Sequence, residues 1–243
     1  MAAEEKKPET GNEEEMMTWT QHLNELRWRL IKCLLAVVIG TIVCAWFIEP
    51  IIQFLTAPVG KLYFMKPAEA FFIYFKVAIC GGAILASPIL FYQFWAFLVP
   101  AFTTKEKKVL SLYVPISLFF FFLGIAFSFY IVLPRGLQFF MTFGSDSVQP
   151  LLSLESYLDF VLFLVLPFGF VFNLPLALIL LAQAGLVTSK ALKKIRKYVI
   201  FLTFVAAAII TPTTDVISQS LLAVPMILLY EGSIFFIKVF MRK

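Results

Sequence analysis

Residues 109–133 read VLSLYVPISLFFFFLGIAFSFYIVL, 25 positions without a charge. At about 1.5 Å per helical residue this run reaches roughly 37 Å, past the hydrocarbon core of about 30 Å. Five further runs lie on either side of it, at approximately 30–47, 70–94, 157–182, 198–211 and 216–237. A crossing needs roughly 20 apolar residues, so the pattern predicts an all-α polytopic membrane protein with six transmembrane helices. Composition agrees. Of 243 residues, 61% are hydrophobic and 14% charged, with 29 Phe, whereas a soluble domain is about half apolar and a quarter charged. That much apolar surface needs lipid as its partner.

The basic residues set the expected orientation. Sixteen of the 20 lie before the first run, between the second and third, between the fourth and fifth, or after the sixth. Cytoplasmic segments are the ones enriched in Lys and Arg, so both termini are expected in the cytoplasm (N-in, C-in). Residues 1–15 carry six glutamates with Lys6, Lys7, Pro8 and Gly11. They lack the basic start and apolar stretch of a signal peptide. Residues 1–16 are therefore expected to be a disordered cytoplasmic tail, and 17–243 a single six-helix transmembrane domain.

The fifth run, 198–211, is short at 14 residues, roughly 21 Å of helix. A short span thins the bilayer, recruits flanking residues or packs against protein. Pro88, Pro115, Pro167 with Pro175, and Pro225 punctuate four runs. Each frees a backbone carbonyl and favours a kink. Kinked helices forming a concave cup, with short fifth and sixth helices, are the expected architecture.

Several chemistries are disfavoured. Cys33, Cys44 and Cys80 share no ligand-like spacing and read as small buried hydrophobes, and His22 is the only histidine, so no metal site is expected. No lysine sits in a phosphate-loop context, and no cofactor is implied. The net charge of +5 is dispersed between apolar runs, unlike the clustered patch of a nucleic-acid binder.

Thr18 followed by Gln21 has capping-box spacing. Trp19, Leu23, Leu26 and Leu30 then form one helical stripe, which predicts an interfacial start to the first helix. On helix spacing alone, Glu25 is an ion-pair partner of Arg29 at i+4.

Residues 22–30, HLNELRWRL, resemble the opening of the TatC family of twin-arginine protein export. Ser87-Pro88 through Tyr92-Gln93, Trp95, Phe97 and Pro100-Ala101 to Glu106 resemble its second span and following loop. Thr211-Pro212, Asp215, Ser218-Gln219, Pro225 and Leu229-Tyr230-Glu231 are similar to its last two spans. The resemblance runs in consistent order from about residue 19 to the end.

It implies a non-enzymatic receptor in the bacterial inner membrane. Such a receptor recognises the arginine pair of signal peptides at the cytoplasmic face and forms a platform for the single-span TatA and TatB. It exports folded proteins on the proton-motive force and acts as a homo-oligomer within the complex. Glu25 and Glu106 match the carboxylates that recognise the arginine pair, and Arg27 matches an arginine that orients the first. Phe97 and Pro100 match the aromatic and proline of the second loop. Thr211 and Gln219 fall where partners dock, although Gln219 also suits an intramolecular hydrogen bond. Pro58, Phe71 and Phe72 match a structural cap, and Asp215 suits capping of the sixth helix. Asn173, at membrane depth, stands where many relatives have glutamate.

Two other readings remain. A secondary transporter of a small solute needs ionisable groups near the midplane, for which Asp159, Asn173 and Gln183 are the candidates. An intramembrane hydrolase needs a nucleophile and base, which one histidine outside the runs does not supply.

Overall fold

The structure is a computed structural model that describes residues 19–60, 62–98, 107–142, 151–210 and 216–240. Its regular elements are helices, apart from one isolated β-bridge between Tyr63 and Ser153. In order, the helices are α1 (Trp19–Trp46), α2 (Ile48–Thr56), α3 (Glu69–Leu98), α4 (Lys107–Phe127), α5 (Leu133–Met141), α6 (Leu154–Val171), α7 (Leu174–Gln183), α8 (Ser189–Ile210) and α9 (Val216–Phe240). A π-helical turn, Ser128–Val132, joins α4 to α5.

Five segments are long and apolar enough to cross a membrane: 23–46, 69–97, 112–141, 154–183 and 219–239. The fifth apolar run is the second half of α8, a 22-residue helix whose first half carries Lys190, Lys193, Lys194, Arg196 and Lys197. Its apolar part stays short because charge, not a helix end, interrupts it. The last helix departs from the expectation of a short one: α9 runs 25 residues, with Pro225 inside it.

The prolines occupy two settings. Pro88, Pro115, Pro167 and Pro225 all lie inside continuous helices. The interruptions fall just before Pro134 and Pro175, each in the first turn of its helix. Near Pro134 the chain widens into the π turn, and Leu133 N–H donates to Ser128 O, one way a helix absorbs a lost donor. Near Pro175 the run expected as one helix divides into α6 and α7. There Asn173 N–H donates to Phe170 O at 3.0 Å, three residues back. That leaves Gly169 O without its usual donor, and the Asn173 side-chain Nδ2 supplies one at 3.1 Å.

Packing between helices relies on glycine where backbones nearly touch. A Cβ on Gly40 would stand 2.5 Å from Gly82 O, and one on Gly82 would stand 2.4 Å from Thr41 N. At these two positions no side chain larger than hydrogen fits. Gly124 and Gly169 do the same for α4 and α6, where a Cβ on Gly124 would meet Phe168 O at 2.5 Å. Small residues at such crossings give van der Waals contact in a solvent that offers no hydrophobic drive between helices. Around these crossings lie three apolar clusters. The largest joins α2, α3, the π turn, α6, α8 and α9 around Ile73, Leu158, Val161 and Leu222. A second, around Trp95 and Phe121, joins α3, α4 and α7. The third fastens α7 to α8 and α9 through Leu192 and Tyr230. By contrast, α1 is exposed along most of its length and packs principally against α3.

Candidate functional site

The first half of α1 and the last turns of α3 lie side by side, because the two helices run antiparallel through the Gly40–Gly82 contact. Between them, and closed off by the α6–α7 junction, is a groove of about 510 Å³. Its walls are apolar: Leu26, Leu30, Phe91, Phe94 and Phe97 among them, with Phe170 and Leu174 opposite. Three polar side chains interrupt this lining, namely Arg29, Gln93 and Asn173.

Glu25 stands at the groove's edge, one turn before Arg29. Its Oε1 accepts from Arg29 Nε at 2.9 Å and from Nη2 at 2.5 Å. The remaining Arg29 nitrogen, Nη1, donates to Gln93 Oε1 at 3.1 Å and so crosses from α1 to α3. Both members of the ion pair are only 21% exposed. Among the described residues, the second oxygen of Glu25, Oε2, is buried without a hydrogen-bond partner.

The pair expected from helix spacing is therefore formed, and the arginine that holds Glu25 is Arg29. Arg27, expected to orient it, is exposed. It sits two residues along and so points to another side of the helix. Phe97 lines the groove, and Asn173 lines it from the opposite wall. Among the described residues the Asn173 Oδ1 is buried without a partner, while its Nδ2 serves Gly169 O. Glu106, Pro100, Thr211, Asp215 and the 1–16 tail lie outside the described residues. Gln219 Nε2 donates to Phe204 O at 2.7 Å, tying α9 to α8. Its acceptor is not a carbonyl freed by proline, since residue 208 is Ala.

At the other end of α3 the cap is built by residues the sequence did not single out. Glu69, 4% exposed, accepts four hydrogen bonds. Oε2 takes Met65 N–H at 2.7 Å and Lys66 N–H at 3.2 Å, while Oε1 takes Ser153 Oγ–H at 2.8 Å and Glu155 N–H at 2.9 Å. Tyr63 and Leu154 add two backbone bonds across the same seam, Tyr63 N–H to Leu152 O and Leu154 N–H to Tyr63 O. Pro58 follows the end of α2 and is exposed, ahead of a reversal at Gly60 with φ of +79°. Phe71 and Phe72 stack edge to face on each other and point outward. The tie between the two connections thus runs through Glu69, one turn of sequence before that phenylalanine pair.

The three groups a transporter would need do not converge. Asp159 takes Lys76 Nζ at 2.8 and 2.9 Å beside a second groove. Asn173 lines the first groove, and Gln183 Oε1 accepts from Tyr113 OH at 2.7 Å. Among the described residues no cluster of metal-ligating side chains occurs.

A family model described as Sec-independent protein translocase protein (TatC) matches residues 21–225. A relative from Desulforapulum autotrophicum, named Sec-independent protein translocase protein TatC, is 44% identical over 240 residues, covering 96% of this chain and 88% of its own. One of the same name from Aquifex aeolicus is 40% identical over 238 residues, covering 93% and 97%. A crystal structure described as the twin arginine translocase receptor TatC superposes with a TM-score of 0.83 at 40% identity, over 90% of this chain and 98% of that one.

Proposed function

The chain belongs to the Sec-independent protein translocase (TatC) family, and on that footing we propose that it is the receptor for twin-arginine signal peptides. The family is one of translocase components, not of enzymes. Glu25 and Glu106 take the two arginines of the motif, and the groove between α1, α3 and the α6–α7 junction takes the apolar stretch that follows. Arginine suits this task because its planar fork pairs with carboxylates more specifically than an ammonium does. Phe97 and Pro100 shape the cytoplasmic rim, and Arg27 contributes positive charge beside it.

The observation that carries this reading is a carboxylate with one buried, unpartnered oxygen at the edge of an apolar groove. That combination matches a ligand with a cationic head and an apolar body. An unsatisfied buried acceptor costs about 1–3 kcal/mol, more when charged, so the site favours whatever supplies the missing donor.

On this reading the chain crosses six times, with the short apolar half of α8 as the fifth crossing and both termini in the cytoplasm. The kinked helices make a concave cup in the bacterial inner membrane. Support comes from the distribution of basic residues, 16 of 20 on one side. TatA and TatB gather along α8 and α9 near Thr211 and Gln219, where the apolar span is shortest. The chain works as a homo-oligomer within that complex and draws on the proton-motive force. Pro58, Phe71, Phe72 and Asp215 shape the caps of the fold.

The test is binding of the purified chain to a signal peptide carrying Arg-Arg and to its Lys-Lys counterpart. The Arg-Arg peptide binds more tightly, and the double variant Glu25→Gln with Glu106→Gln loses the difference. Equal affinity for both peptides in the unaltered protein would overturn the assignment.

A further inference from the structure

An arginine and a carboxylate usually meet fork to fork, two parallel N–H donors on two oxygens. The pair on α1 does not. Two Arg29 nitrogens, Nε and Nη2, converge on Oε1 of Glu25, while Oε2 is buried and empty-handed. The third nitrogen is anchored on Gln93, 64 residues away on α3. A plain solvated i,i+4 pair needs no such anchor, and its second oxygen would face water.

We infer that Arg29 is a positioning residue: it grips Glu25 by one oxygen, braced by Gln93, so that Oε2 is held ready for a guanidinium of the signal peptide. This rests on the receptor reading of Glu25 given above. A free glutamate side chain loses about 1.5–2 kcal/mol of rotamer freedom when it is fixed. Arg29 fixes it beforehand, and a bound arginine then completes the carboxylate instead of first having to order it. Lysine cannot do the same. Its three protons radiate from a single nitrogen and do not span Oε1 and Gln93 with the reach of a fork. Lysine at residue 29 would preserve the charge and lose the geometry.

The experiment uses the full chain in detergent with two fluorescent signal peptides that differ only in Arg-Arg against Lys-Lys. Arg29→Lys and Arg29→Gln both lower the preference for Arg-Arg about tenfold while leaving Lys-Lys affinity within about twofold. Gln93→Leu removes the brace alone and lowers the preference about threefold, which keeps the test alive if the Arg29 variants do not fold. Full retention of the preference in Arg29→Lys reduces the residue to a charge and overturns the inference. Tighter Arg-Arg binding by Arg29→Gln makes it a competitor and overturns it too. So does a parallel loss of both peptides together with a lowered unfolding midpoint, which is the mark of a merely structural pair. Glu25→Gln separates the two levels. If it leaves the preference intact, the receptor reading of Glu25 fails. If it removes the preference while the Arg29 variants keep it, only the positioning role falls.

Discussion

Glu69 and Glu25 are two shielded carboxylates at opposite ends of the α1–α3 pair, and they are satisfied in opposite ways. Four donors from four residues divide evenly between the oxygens of Glu69. Among the described residues Glu25 has one donor residue, spent on one oxygen. A fully satisfied buried acid holds a fold together, because removing it orphans every donor around it. A half-satisfied acid is a poor structural device and a good receptor. Completeness of hydrogen bonding, more than burial, separates the two roles.

The strongest way to break this contrast is Glu69→Ala. It leaves three backbone N–H groups and the Ser153 hydroxyl without their acceptor, and the expected loss is about 3 kcal/mol or more. A fall in the unfolding midpoint in detergent measures it. The Arg-Arg preference of the folded fraction stays unchanged, since the site lies at the other end of α3. Next comes Gly82→Val, which drives a side chain into the α1 backbone at Thr41. Overpacking of this kind costs roughly 2–3 kcal/mol. Because α1 carries Glu25, both stability and peptide binding decline, joining the two ends that the first variant keeps apart. Glu25→Gln gives the inverse of Glu69→Ala: the peptide preference falls about tenfold. Its unfolding midpoint barely moves, as an i,i+4 pair contributes only a few tenths of a kcal/mol. Asn173→Ala removes the donor to Gly169 O and lowers stability by about 1 kcal/mol, less than Glu69→Ala or Gly82→Val. It sharpens the comparison, because Asn173 has one satisfied and one empty polar atom within a single side chain.

The sequence discloses what is local and periodic. An uncharged run of 25 residues leaves few choices in a chain this apolar, and the Leu23–Leu26–Leu30 stripe announces where α1 begins. Glu25 and Arg29 are four apart, so their pairing is legible as well. Gln93 is not, because nothing near residue 29 points to residue 93. Glu69 fails for the same reason: its donors come from residues 65, 66, 153 and 155, and only the folded chain gathers them. The prolines mislead in a more instructive way. A missing N–H is certain from the sequence, yet where the helix gives way depends on what can fill the gap. At the α6–α7 junction the backbone turns at Asn173, and its amide serves Gly169 O, the carbonyl that this turn leaves free. An ionised glutamate at that position accepts hydrogen bonds only and would leave Gly169 O unserved. The neutral amide therefore fits the local break at the α6–α7 junction. Length misleads too at α8, where lysines and an arginine occupy a helix that continues well beyond its apolar half.

The glycine crossing also bears on biogenesis. Gly40 emerges from the ribosome 42 residues ahead of Gly82, a delay on the order of 2–8 s at translation speeds of about 5–20 residues per second. Throughout that interval α1 has its principal neighbour unmade and its glycine flank uncovered by α3. The earliest tertiary assembly of this protein is thus timed by elongation, and a pause in translation before residue 82 prolongs the unpaired state of its first helix.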